Sequence, residues 1–151
     1  APQLGTFLNQ QRAVIHKLVY QAETLATVLQ QQSLPFVVCH ADCHAGNVLI
    51  DSKDKLYIID WDTLILAPKE RDLMYAGGGQ FVNKRTVAEE QKLFYQGYGQ
   101  VDINQAAIVY YQYERIVQDI AEYGQQILLS AEGEQDRKNG LKFIGQVEEI
   151  G

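Results

Sequence analysis

The stretch "VVCHADCHAGNVLI", residues 37–50, decides the reading of the whole chain. It crowds Cys39, His40, Asp42, Cys43 and His44 together and runs through Gly46-Asn47 into an apolar segment. Three chemistries compete for such a cluster: a metal knot, a cysteine nucleophile site, and a loop that handles phosphate.

The flanking sequence decides what kind of element carries it. Upstream, Leu8, Val14, Ile15, Leu18, Val19, Ala22, Leu25, Ala26 and Leu29 recur at helical steps, which predicts one long amphipathic helix through the first 33 residues with Thr6 as its cap. Pro35 stops that helix and pushes the residue before it to extended geometry. Downstream, "NVLI" (47–50) and "KLYIIDW" (55–61), joined by the polar "DSKD", predict a β-hairpin. Residues 40–47 therefore form a loop between an extended run and the first hairpin strand.

Beyond "LILAPKE" the pattern turns helical. A short segment near "ERDLMYA" ends at Gly77-Gly78-Gly79, where glycine favours a cap or turn. Thr86 and Glu89 have capping-box spacing at the head of "TVAEEQKLFYQGYG", and Asp102 and Gln105 repeat it before a long helix. Val109, Tyr113, Ile116, Val117, Ile120 and Ile127 make the apolar face of that helix, and a weaker helix is expected over 134–149. The expected fold class is α+β and mostly α-helical, a single domain over 1–151 with a short hairpin set into it.

Composition narrows the partners. A chain of 151 residues with 46% hydrophobic and 21% charged residues is ordinary for a globular protein. Its net charge of −6 argues against a nucleic-acid surface and suits a cationic small molecule. No run has the length of a membrane span, and "APQLGTFLNQQ" lacks a basic segment followed by an apolar one, so no membrane partner and a cytoplasmic location are expected.

A loop weakens the zinc reading, because Cys39/Cys43 and His40/His44 share a ligand face only on a helix, and a second pair would need the distant His16. A cysteine nucleophile fares little better, since a neighbour in sequence is not thereby a base in space. The phosphate reading accounts for more residues. His40, Asp42 and Asn47 follow His-x-Asp-x-x-x-x-Asn, the spacing of a kinase catalytic loop, and "YIIDWD" supplies Asp60 at the end of the second hairpin strand. The hairpin brings Asn47 and Asp60 to one end, where both offer hard oxygen atoms to magnesium on nucleotide phosphates. Each residue alone has a bland explanation as a turn former or structural histidine. The combination does not.

"CHADCHAGNVLI" followed by "YIIDWD" and "APKERDLM" resembles the aminoglycoside phosphotransferase family, related to choline and homoserine kinases, and within it the branch that includes spectinomycin phosphotransferase. The resemblance covers the carboxy-terminal lobe of a protein-kinase-like fold and implies a small-molecule kinase using ATP and Mg2+, with antibiotic resistance as its setting. It implies Asp42 as catalytic base, Asn47 and Asp60 as metal ligands, His40 and His44 as loop-shaping residues, and Asp72 as a brace from the next helix.

Departures from protein kinases matter as well. Position 41 is Ala where regulated protein kinases carry Arg, and only "WDTLIL" separates Asp60 from Ala67, too little for a peptide-holding activation segment. The expected partner is a small cationic molecule with a hydroxyl acceptor. Tyr110, Glu114 and Asp119 on the last long helix are candidate substrate contacts, against the ordinary reading of such residues as core or solvated face. The β-rich, lysine-bearing lobe that covers ATP is expected outside this chain. That leaves two readings: an enzyme lobe inactive by itself, or a catalytically incompetent binding module. Either predicts an apolar face able to self-associate.

Overall fold

A computed structural model describes residues 2–77 and 85–129, so Gly78, Gly79 and the helix expected over 134–149 lie outside the described residues. The chain forms two compact units, Ala1–Val28 with Tyr110–Gly151, and Leu29–Val109.

In the first unit, the helix expected to be continuous is two: α1 (Pro2–Gln10) and α2 (Arg12–Gln30). Thr6 is inside α1 rather than capping it. Proline suits a first helical turn because its missing N–H would have had no intrahelical partner. The break at Gln11 falls in Asn9-Gln10-Gln11-Arg12, which offers no apolar side chain whose burial would hold the two helices as one. Leu18 of α2 is buried, as is Ile120 of α5 (Gln105–Leu129), on the face that periodicity assigned to the interior.

The second unit holds the strands. Here β1 (Phe36–Cys39) pairs antiparallel with β4 (Ile65–Pro68), with Cys39 opposite Ile65, while β2 (Val48–Ile50) and β3 (Leu56–Ile58) form the expected hairpin in a separate sheet. The hairpin turn is organised by Asp51, whose carboxylate accepts the N–H groups of Lys53 (2.8 Å) and Lys55 (2.9 Å), with Asp54 left-handed at φ 58°. The short helix expected near "ERDLMYA" starts where that segment does, at Glu70, while "ILAP" before it, for which no strand was expected, forms β4. Its apolar residues meet a partner strand that lies far back in the sequence.

α3 (Glu70–Leu73) follows β4 directly and runs into a turn closed by Gly77, whose φ is 91°. A Cβ there would lie 2.6 Å from Gln91 Cγ, so the position requires glycine on both counts. α4 (Val87–Tyr98) carries the full Thr86/Glu89 capping box. The cap of α5 differs from expectation: Asn104, not Asp102, accepts the Ala107 N–H at 3.1 Å. Asn104 also donates its backbone N–H to Glu70 Oε1 at 3.0 Å, and Lys69 Nζ meets the same oxygen at 3.1 Å.

Glu70 is 2% exposed. Burial pushes its carboxyl upward, but the Asn104 N–H and Lys69 together hold it below the ordinary carboxylate value. A folded pKa below the unfolded one of about 4.3 gives stability that is present above that pH and lost as pH falls through the folded value. Glu70→Gln is therefore expected to lower the urea midpoint at pH 7 and to converge on the parent protein in acid, measured by unfolding at both pH values.

The strands leave much apolar surface in solvent. Val38 and Leu66, partners across β1 and β4, are 68% and 69% exposed, and Ile50 in the hairpin is 67% exposed. No helix among the described residues is long and apolar enough to cross a membrane.

Candidate active site

The loop after β1 owes its shape to Asp72. β4 begins opposite Cys39 and ends opposite Phe36, so the chain enters α3 from the Phe36 end and comes back to the loop that left β1 through its side chains. From α3, Asp72 Oδ2 accepts the His40 N–H at 2.8 Å and Oδ1 accepts the Ala41 N–H at 2.7 Å. Ala41 is buried and left-handed, at φ 67°. A non-glycine residue holds that conformation only where its surroundings enforce it. Two charge-assisted hydrogen bonds do so here.

His40 locks the loop to the hairpin. Its Nδ1 accepts the Asp42 N–H at 3.2 Å, which leaves Nε2 as the donor to Ile59 O at 2.8 Å. The ring packs against Trp61 at 4.7 Å between centroids, and Thr63 donates its hydroxyl to His40 O at 2.8 Å. His40 is 3% exposed. It is a strut between loop and strand end rather than an open acid or base.

Asp42 projects from the loop held in this way, half-buried. Asn47 Nδ2 donates to Asp42 O at 2.9 Å and to Oδ2 at 3.2 Å, and the Tyr75 hydroxyl donates to Oδ1 at 3.2 Å. His44 Nδ1 accepts the Gly46 N–H at 3.0 Å, which aims Nε2 toward Asp42 Oδ2 at 3.6 Å. A Cβ at Gly46 would stand 2.7 Å from His44 Cε1, so the glycine keeps room for that ring.

Asn47 connects the loop to the second carboxylate. Its backbone O accepts the Ile59 N–H at 3.0 Å, and Ile59 is followed by Asp60. Asp60 is exposed, left-handed at φ 64°, and makes no side-chain hydrogen bond to the 3-10 turn Trp61–Thr63 that it precedes. With Asn47 Nδ2 turned to Asp42, the amide oxygen is left for another partner. An amide oxygen and an exposed carboxylate are hard donors suited to magnesium. Of the residues singled out in the sequence, His40, Asp42, His44, Asn47 and Asp72 share one hydrogen-bonded loop, with Asp60 one residue from its edge.

Cys39 and Cys43 are free. Cys39 Sγ faces Ala67 O and Pro68 O at 3.6 and 3.5 Å. Burial first, and then the negative charge of Asp72, push both thiols upward, which disfavours a nucleophilic thiolate. Among the described residues no group of three or more His, Cys, Asp and Glu is arranged to hold a metal ion.

Tyr110, Glu114 and Asp119 belong to the other compact unit. There the Tyr110 hydroxyl donates to Glu114 Oε1 at 2.9 Å, and Asp119 pairs with Arg115 at 2.8 Å. The site residues without a motif signal are Tyr75, Thr63 and Ile59. Ile59 acts through its backbone, which no side-chain pattern reveals. Tyr75 does lie three residues after Asp72, one helical turn along, and that spacing is its only signal.

The family whose profile matches residues 2–110 is described as the phosphotransferase enzyme family, APH. Among solved structures, spectinomycin phosphotransferase, APH(9)-Ia, in complex with ADP and spectinomycin is 42% identical with a TM-score of 0.80, over 99% of this chain and 48% of that one. The AMP-bound complex of the same enzyme is 42% identical with a TM-score of 0.76, over 96% of this chain and 46% of that one. An uncharacterized protein of Metamycoplasma hominis is 30% identical over 71 residues, 47% of this chain and 13% of that protein. The chain thus spans about half the length of the solved relatives.

Proposed function

Because the chain belongs to the phosphotransferase enzyme family, we propose that it is the carboxy-terminal lobe of an ATP-dependent small-molecule kinase, with an aminoglycoside-type antibiotic as acceptor. The observation that carries this reading is the double role of Asn47. Its side chain holds Asp42 and its backbone holds Ile59, so a hydroxyl-orienting carboxylate and a phosphate-side carboxylate, Asp60, are tied through one residue.

In the proposed reaction the acceptor hydroxyl donates its proton to Asp42 as its oxygen attacks the γ-phosphorus. The new oxygen–phosphorus bond forms, the bond to the β-phosphate oxygen breaks, and ADP leaves. Asn47 and Asp60 would hold magnesium, which offsets phosphate charge when bound. The remaining work is positioning. Asn47 holds one carboxylate oxygen of Asp42, and the loop beneath it is kept in place by Asp72 and His40. Tyr110, Glu114 and Asp119 are kept as candidate contacts for a cationic acceptor; Glu114 accepts the Tyr110 hydroxyl, and Asp119 pairs with Arg115.

We place the ATP-covering lobe outside this chain. A second reading, a binding module without transferase activity, is favoured by the exposed apolar side chains of both sheets, which call for a covering partner or a second copy. Transfer of radiolabelled γ-phosphoryl from ATP to spectinomycin in the presence of magnesium distinguishes the two. The full polypeptide carrying this chain is expected to turn over. The 151 residues alone are expected to bind ATP weakly and to transfer nothing measurable. Turnover by the short chain, abolished by Asp42→Ala, would show that the covering lobe is dispensable.

A further inference from the structure

We propose that Tyr75 is a positioning residue for Asp42, holding the carboxylate of the base through its hydroxyl. This rests on the reading of Asp42 given above and adds a residue that no motif marks. The Tyr75 hydroxyl lies 3.2 Å from Asp42 Oδ1 and 3.5 Å from Ala41 O. It has a single hydrogen to donate, and the carboxylate is both the nearer and the more strongly charged acceptor. Asn47 Nδ2 donates to the other oxygen, Oδ2, at 3.2 Å. The two donors therefore take opposite oxygens of one carboxylate, which removes the rotation about the Cβ–Cγ bond that either alone would permit.

The placement of Tyr75 comes from the same turn that places the backbone. Asp72 and Tyr75 are three residues apart, and the Tyr75 N–H donates to Asp72 O at 3.3 Å, so both side chains leave one side of a single turn. Asp72 grips the N–H groups of His40 and Ala41, and Tyr75 grips the side chain that follows them. The ring is kept in register by an edge contact with His44 at 6.1 Å between centroids. One short segment thus determines both where the loop runs and how its carboxylate is turned.

The test is a double-mutant cycle in the full polypeptide, Tyr75→Phe crossed with Asp42→Asn, followed by kcat, by KM for ATP and acceptor, and by melting temperature. Tyr75→Phe is expected to lower kcat about tenfold, the scale of one hydrogen bond to a charged group, with both KM values and the melting temperature unchanged. In the Asp42→Asn background it is expected to cost nothing more, because the carboxylate it positions is gone. Full activity of Tyr75→Phe, an equal loss in both backgrounds, or a loss confined to KM would each overturn the proposal while leaving Asp42 in place as base. Unimpaired transfer by Asp42→Asn would instead remove the reading on which the proposal stands.

Discussion

Replacing Asp42 with Ala in the full polypeptide is expected to lower kcat for phosphoryl transfer by about 10²–10⁴-fold, the range of a lost general base that also orients its substrate. The reason is local. Asp42 is the loop's half-buried carboxylate held on both oxygens, and the hydrogen bonds that hold it come from groups with no basic function of their own. Because Asn47 and Asp60 remain, ATP affinity should change little, so the loss should fall on kcat rather than on KM for ATP. Single-turnover measurement with labelled ATP reads the chemical step directly. If Asp42→Ala transfers phosphate at the parent rate, the loop does not house the base.

The second large effect is expected at Asp72. Asp72→Ala removes both acceptors from the His40 and Ala41 N–H groups and with them the support for the left-handed Ala41. Two charge-assisted hydrogen bonds lost from a largely enclosed site should destabilise the protein by about 3 kcal/mol, read as a lower urea midpoint. The displaced loop should also lower kcat by about 10²-fold, since displacement of a reacting group by an ångström costs on that order. Asp72→Asn keeps one amide oxygen as acceptor and should fall between the two. An Asp72→Ala protein of normal activity would show that Ala41 and the loop hold their conformation without the brace.

Particular residues show how far the sequence could be read. Thr86 and Glu89 formed the expected capping box because both partners lie within one helical turn, where sequence spacing is spatial distance. The hairpin was legible for the same reason: "NVLI" and "KLYIID" are joined by a short turn, and local chemistry at Asp51 closes it. The strand Ile65–Pro68 was not legible, because its partner Phe36–Cys39 lies far back in the chain and nothing local in "LILAPKE" prefers strand to helix strongly enough to announce the pairing. Thr6 lies inside α1 rather than at its start, and Asp102 gives way as the cap of α5 to Asn104, which is also held through its backbone by Glu70.

The sequence by itself determined the family and the residues on which the proposed chemistry rests: the His-x-Asp-x-x-x-x-Asn loop, the carboxylate of Asp60 after a strand, and membership of a phosphotransferase family are all written in residue types at short spacing. Tertiary structure alone decided how that chemistry is held. The pairing of β1 with β4 carries Asp72 to the backbone of His40 and Ala41, and Tyr75 to the carboxylate of Asp42, across more than 30 residues of chain. Such contacts depend on where a strand register puts the next helix, and a register is a property of two distant segments together, which neither one specifies alone.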